Sequence, residues 1–288
     1  MKYKKIIFLF AVFLPVSIVL RLVQLSFTVD YKTGFFVKQF ESNGEAMLWV
    51  VLALCFVPAL FALASHRNPE KPTEPNVFLS IASFLMAAAV LYELFFEKFS
   101  DTVMSWQILA VKTTGMLTAV FFALYGLERF ISFKLPRIFT AIPTLYFIFR
   151  IICDFTSISA LALISENLLV MLAYCSVLLF LLQFAKLYNG LDTEYNFRKL
   201  LATGLASIVL CFTQTVPHIV LKLATGYSFM HTSLATNINI FFVGIFIATF
   251  IFSHFSFANA CLNSEQREER RILVKEKITK IYNKFKQK

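Results

Sequence analysis

Residues 76 to 97 read NVFLSIASFLMAAAVLYELFFE, and this stretch decides the fold class. It carries no charged side chain between Val77 and Tyr92, which approaches the ~20 apolar residues that an α-helix needs to cross a bilayer. Glu93 and Glu97 follow, about one helical turn apart. The stretch therefore predicts a transmembrane helix with two carboxylates near one of its ends.

The composition of the whole chain is that of a membrane protein. Of 288 residues, 58% are hydrophobic and 15% are charged, compared with about 45–50% and about 25% in soluble domains. This composition excludes disordered, collagen-like and disulfide-stapled secreted classes, and nearly excludes a soluble globular fold. The 35 Phe residues are interpreted as genome composition and point to no site.

Segments of similar length and polarity recur along the chain. We predict an all-α polytopic membrane bundle within residues 1–262. Its eight spans cover approximately residues 5–25, 46–65, 76–97, 105–127, 138–157, 162–185, 200–224 and 234–256. The first span is expected to be a retained helix, because no small-residue cleavage site follows its apolar part.

The basic residues predict an orientation. Most of the 27 Lys and Arg residues lie in the two termini and in loops on the same side, as the positive-inside rule requires of cytoplasmic segments. We therefore expect cytoplasmic termini and a plasma-membrane location. The net charge of +10 follows from this bias and requires no nucleic-acid partner.

Residues 263–288 form a basic tail. Val274, Ile278, Ile281 and Phe285 recur at helical spacing, with lysines between them. This pattern is typical of an amphipathic helix that binds anionic inner-leaflet lipids. A solvated tail is the alternative, and a cytoplasmic protein could also dock there.

Polar side chains inside the spans are the candidate functional residues. A charge at the centre of a transmembrane helix costs about 2.5–3.5 kcal/mol on insertion scales, so it needs a partner, water or a nearby helix end. Candidates for ligand binding or ion relay, all expected in the outer half, are Glu93, Lys112, Arg150, Asp154, Glu166, Gln214 and His218.

Spacing relates several of these candidates. Arg150 and Asp154 lie four residues apart, so they can pair on one helix face. Lys112 and Glu166 are expected to flank that pair.

A polar stripe is predicted on the seventh span. Gln214 and His218 share one face beside Pro217, which is expected to kink the helix. By contrast, Arg21 and Glu97 lie near span ends, where snorkelling to water would make them unimportant.

Two arrangements would satisfy the buried polar groups. One is a water-accessible pocket, opening outward among spans three to seven, that binds a polar or zwitterionic ligand or relays protons. The other is a dry salt-bridge network that locks the bundle. The leading functional prediction is a small transporter or permease-like protein, and the alternatives are a membrane sensor or regulatory subunit and an enzyme acting on lipid-linked substrates.

The sequence contains no phosphate loop, paired-histidine metal helix, nucleophile elbow or dinucleotide fingerprint. We therefore expect no catalytic residue, metal site or cofactor.

One stretch after the first span carries a family resemblance. Its residues are Arg21, Gln24, Asp30, Thr33, Gly34, Phe35 and Phe36. An Arg and a Gln followed by Asp-x-x-Thr-Gly-Phe-Phe resembles a group of polytopic membrane proteins of Gram-positive anaerobic bacteria that carries no assigned activity. The resemblance implies a bacterial plasma-membrane location and transfers no functional residue.

Overall fold

The protein is an all-α polytopic membrane bundle. A computed structural model describes residues 3–30, 33–64, 77–97, 99, 103–128, 130, 135–157, 165–191, 196–226 and 233–253. Eight helices within these residues are long and apolar enough to cross a membrane, which confirms the predicted fold class. The basic tail, residues 263–288, lies outside the described residues.

The helices are α1 Tyr3–Phe27, α2 Glu41–Leu63, α3 Val77–Phe96, α4 Ser105–Glu128, α5 Ile142–Ser157, α6 Ser165–Tyr188, α7 Asn196–Thr225 and α8 Leu234–Ser253. Consecutive helices from α3 to α7 pack side by side, and α1 and α2 pack on each other and on α7. Helix α8 lies among them: Phe246 contacts Phe122 of α4, and Phe241 contacts Phe212 of α7. Helices α7 and α8 are the most enclosed of the eight.

Many of the buried polar contacts lie at one end of the bundle. Side-chain contacts join the last turns of α1, α3 and α5 to the first turns of α2, α6 and α8, as expected when successive helices alternate in direction. We call this the polar end. The opposite end holds Tyr3 and Ser253, and we call it the terminal end.

A tight turn joins α1 to α2 at the polar end. The Gly34 amide donates to the Asp30 carbonyl at 2.7 Å, and Val29 and Phe36 form an antiparallel bridge. Gly34 has φ +72°, a left-handed conformation that a side chain would disfavour. The turn brings the end of α1 beside the start of α2, where Gln24 donates to the Gly44 carbonyl at 2.6 Å.

Aromatic rings fill the bundle near the terminal end. The rings come from α4, α6 and α8, and we call them the aromatic cluster: Phe121, Phe122, Tyr125, Phe180, Phe184, Tyr188, Phe246 and Phe250. Centroid separations between helices include 5.0 Å for Phe122 and Phe246 and 5.2 Å for Phe184 and Phe250, mostly edge to face. Such pairs contribute about 0.5–1.5 kcal/mol beyond burial.

Candidate functional site

The polar residues form two separate buried clusters at the polar end. The Arg150 cluster consists of Glu93, Glu97, Tyr146, Arg150, Asp154, Tyr174, Ser233, Thr236 and Asn239. The Arg21 cluster consists of Arg21, Gln24, Ser165, Glu166, Gln214 and His218. The expected single pocket among spans three to seven is therefore replaced by two sites, one of which includes α1 and the other α8.

Arg150 is the centre of the first cluster. Its NH2 lies 3.4 Å from Glu93 Oε1 and 3.2 Å from Glu97 Oε1, and its Nε lies 3.3 Å from Asp154 Oδ1. The predicted Arg150–Asp154 pair is thus confirmed. The guanidinium also lies over the ring of Tyr174, 6.0 Å from its centroid, where the face of the ring attracts a cation.

Neutral donors surround the Glu93 carboxylate. The Tyr146 hydroxyl donates to Glu93 Oε2 at 2.5 Å, and the Asn239 amide donates to the same oxygen. The Tyr174 hydroxyl reaches Glu93 Oε1 at 3.4 Å. Hydrogen bonds of this kind offset part of the desolvation cost of a carboxylate buried at membrane depth.

Glu97 and Arg150 repeat this pairing one turn nearer the polar end. Glu93 pairs with Tyr146 and Glu97 pairs with Arg150. The second pair lies four residues further along both helices. Glu97 Oε2 also accepts from the hydroxyl groups of Ser233 and Thr236. Parallel helices in register thus place two carboxylates against one side of α5.

Among the described residues, the Arg150 cluster contains more acid than base. Three carboxyl groups there surround one guanidinium. The exposed fraction of the acidic side chains rises from 1% at Glu93 to 11% at Glu97 and 16% at Asp154. Glu93 is therefore fully enclosed, whereas Glu97 and Asp154 are partly exposed.

The Arg21 cluster joins α1, α6 and α7. Arg21 NH1 donates to Gln24 Oε1 at 2.6 Å and to Ser165 Oγ at 3.2 Å. His218 Nε2 lies 3.8 Å from Glu166 Oε1 and 3.2 Å from Gln214 Nε2. Arg21 and Glu166 thus both lie at the start of α6, without direct contact and without the dense hydrogen bonding of the first cluster.

Several buried atoms of the Arg21 cluster have no hydrogen-bond partner in the part of the chain that the structure describes. They are Nε and NH2 of Arg21, both carboxylate oxygens of Glu166 and Oε1 of Gln214. The three residues are 0% exposed. A buried polar group without a partner costs about 1–3 kcal/mol, and more when it is charged. The cluster therefore has fewer hydrogen bonds than its buried polar atoms can form.

Two expectations about the flanking residues are wrong. Lys112 lies on the exposed face of α4, because its neighbour Val111 occupies the buried face. Glu166 belongs to the Arg21 cluster beside His218 and does not flank Arg150.

Position near a span end was a poor guide to the burial of Arg21 and Glu97, and the predicted kink at Pro217 stays a prediction. Arg21 is 0% exposed and Glu97 binds Arg150, although both lie near helix ends. Lateral packing of α2, α6 and α8 covers those ends. Helix α7 continues as one helix through Pro217.

Sequence reasoning missed the hydroxyl groups that bind the carboxylates, chiefly those of Tyr146, Tyr174 and Thr236. A signal for one of them existed. Tyr146, Arg150 and Asp154 follow one another at four-residue intervals, which places them on one helix face.

The described residues contain no group of three or more His, Cys, Asp or Glu side chains arranged to hold a metal ion. An open groove of about 420 Å³ lies towards the terminal end, is lined mainly by Phe78, Phe212, Ile245 and Phe252, and includes none of the candidate residues. No family model, curated protein or solved structure matches the chain.

Proposed function

We propose that this multi-pass membrane protein is a proton-coupled transporter or permease of the plasma membrane. The observation that carries the proposal is the Arg150 cluster, where one buried and two partly exposed carboxyl groups meet one guanidinium. With all four groups ionised, these four described side chains would together carry a net charge of −2. Such a charge is expensive at membrane depth, and intramembrane acidic residues commonly mark proton or ion pathways.

The hydrogen bonds of the cluster favour protons as the compensating charge. Oxygens of Glu93 and Glu97 already accept from Tyr146, Asn239 and Thr236. A metal ion would have to displace several of these donors, whereas a proton adds to one oxygen. The difference in exposure supports transfer from the two partly exposed carboxyl groups to the buried Glu93.

The orientation predicted from the basic residues places the polar end outside the cell. Protons would then reach Asp154 and Glu97 from the outside and move inward to Glu93. Coupling would arise because neutralising the cluster weakens the ionic contacts that join α3, α5 and α8.

The test is solute-dependent acidification of proteoliposomes. Protein is reconstituted with a pH-sensitive dye inside, and amino acids, sugars, polyamines, carboxylates and nucleosides are added outside in turn. We expect at least one solute to acidify the interior with wild-type protein. Asp154→Asn should abolish that signal, because the most exposed acid of the cluster can no longer carry a proton.

Glu45→Gln is the matched control, since Glu45 is an exposed acid at the polar end. This variant should acidify the vesicles at the wild-type rate. Wild-type acidification in Asp154→Asn, or the absence of any response across the panel, would refute proton-coupled transport.

A further inference from the structure

We infer that the Arg21 cluster is the binding site for a zwitterionic solute of the α-amino acid type. This inference rests on the proposed function, because it names the class of solute that the transporter carries. Its evidence is separate and comes from the unpartnered atoms of Arg21, Glu166 and Gln214.

The two charged side chains of this cluster attract each other without touching. Arg21 and Glu166 interact electrostatically, but within the described residues the Arg21 guanidinium is hydrogen bonded only to Gln24 and Ser165. Each charge therefore keeps free hydrogen-bonding capacity. A static structural salt bridge would use that capacity in direct contact.

One side of the cluster is suited to a carboxylate. Arg21 offers two donor nitrogens, Nε and Nη2, that have no partner among the described residues. Its NH1 binds Ser165, the first residue of α6, so the guanidinium sits at the positive end of that helix. A second anionic group is attracted there by the guanidinium and the helix dipole together.

The other side is suited to an ammonium group. Both oxygens of Glu166 and Oε1 of Gln214 are free acceptors among the described residues. Pro217 has no N–H, so the carbonyl of Thr213 loses its helical hydrogen bond and supplies another acceptor in the same turn as Gln214. A solute that carries a carboxylate and an ammonium on one carbon would satisfy both sides.

The present arrangement is closed, because the three side chains are 0% exposed. Binding thus requires α1 to separate from α6 and α7 at the polar end. The unpartnered atoms favour that opening, since water or solute then replaces missing hydrogen bonds.

The experiment measures binding to full-length protein in detergent, independently of transport. Each proteinogenic α-amino acid is tested by the shift in thermal unfolding, beside the amine and the carboxylic acid that each carry only one of its charges. We expect at least one amino acid to raise the unfolding temperature and its two single-charge analogues not to do so. Arg21→Gln and Glu166→Gln should each weaken the affinity for that amino acid about tenfold or more, because each removes a charge-assisted hydrogen bond.

Two further variants distinguish a loss of binding from misfolding. Arg21→Gln combined with Glu166→Gln removes both charges together and should bind no amino acid while remaining folded. Lys112→Gln removes an exposed base near the polar end and should bind as wild type does. Binding by the double variant, or equal binding of the single-charge analogues, would overturn the inference.

The two proposals fail in different ways. Amino-acid binding without solute-dependent acidification would leave the site standing and refute transport. Acidification by a solute that is not a zwitterion, unchanged in Arg21→Gln, would leave transport standing and refute the site. If no amino acid stabilises the wild-type protein, the inference about the Arg21 cluster is refuted, whatever the transport assay shows.

Discussion

Glu93→Gln tests whether the Arg150 cluster carries protons or serves as a fixed ionic lock. The substitution keeps the shape of the side chain and imitates a protonated carboxyl. Glu93 Oε1 and Glu97 Oε1 lie 3.4 and 3.2 Å from the same nitrogen of Arg150, so they are at most about 7 Å apart and repel by about 2.5 kcal/mol at an effective dielectric constant of ~20.

The remaining Coulomb energies nearly cancel. Attraction between Glu93 and Arg150 at 3.4 Å is about 5 kcal/mol on the same scale. Asp154 binds the adjacent Nε, lies within about 9 Å of Glu93 and adds about 2 kcal/mol of repulsion. Ionised Glu93 therefore gains less than about 1 kcal/mol from its neighbours, and the desolvation penalty of a buried ion is several kcal/mol.

We therefore expect Glu93→Gln to change the free energy of unfolding by less than about 1 kcal/mol and to abolish solute-dependent acidification. The measurements are SDS-titrated unfolding in mixed micelles, followed by circular dichroism, and the vesicle assay. Glu45→Gln again serves as the control. A loss of about 3–5 kcal/mol, the usual result of breaking a buried ion pair, would show that Glu93 is an ionised structural partner and refute the reasoning.

Three other predictions concern Arg150, the packing of Gly115 and the basic tail. Arg150→Gln should lower the free energy of unfolding by about 3–5 kcal/mol in the SDS titration, because three carboxyl groups lose the guanidinium that they share. Gly115→Val should cost about 1–3 kcal/mol in the same titration, because a Cβ would already meet Leu94 at 2.7 Å and Tyr146 at 3.1 Å; an unchanged midpoint would contradict this packing. Truncation after residue 262 should leave vesicle acidification at the wild-type rate, whereas loss of acidification would support signalling or regulation through the tail.

The fold was predictable because bilayer thickness dictates the length of each apolar segment. Eight spans emerge from the sequence, and the structure contains eight such helices within its described residues. The Arg150–Asp154 pair was equally accessible, since both residues lie on one helix at four-residue spacing.

The partners across helices were not predictable for a physical reason. A helix in lipid is apolar on its outer face and in its packed face alike, so hydrophobic periodicity does not show which side faces the protein. Lys112 was therefore placed inside, although the packed face of α4 runs through Val111 and Gly115. Glu93 and Tyr146 are 53 residues apart. Their contact depends on how each helix is rotated about its own axis, which the sequence does not reveal.

The aromatic cluster has a mechanical consequence for any transport cycle. Eight ring pairs join α4, α6 and α8 among the described residues, together about 4–12 kcal/mol. Ionic contacts at the polar end can be exchanged for water one at a time, but separated rings find no equivalent partner in water. We therefore expect these three helices to stay clamped while α1 and α2, which pack on α7, move relative to them. The aromatic cluster would then be the fixed base of the cycle, and movement would be confined to the helices that it does not include.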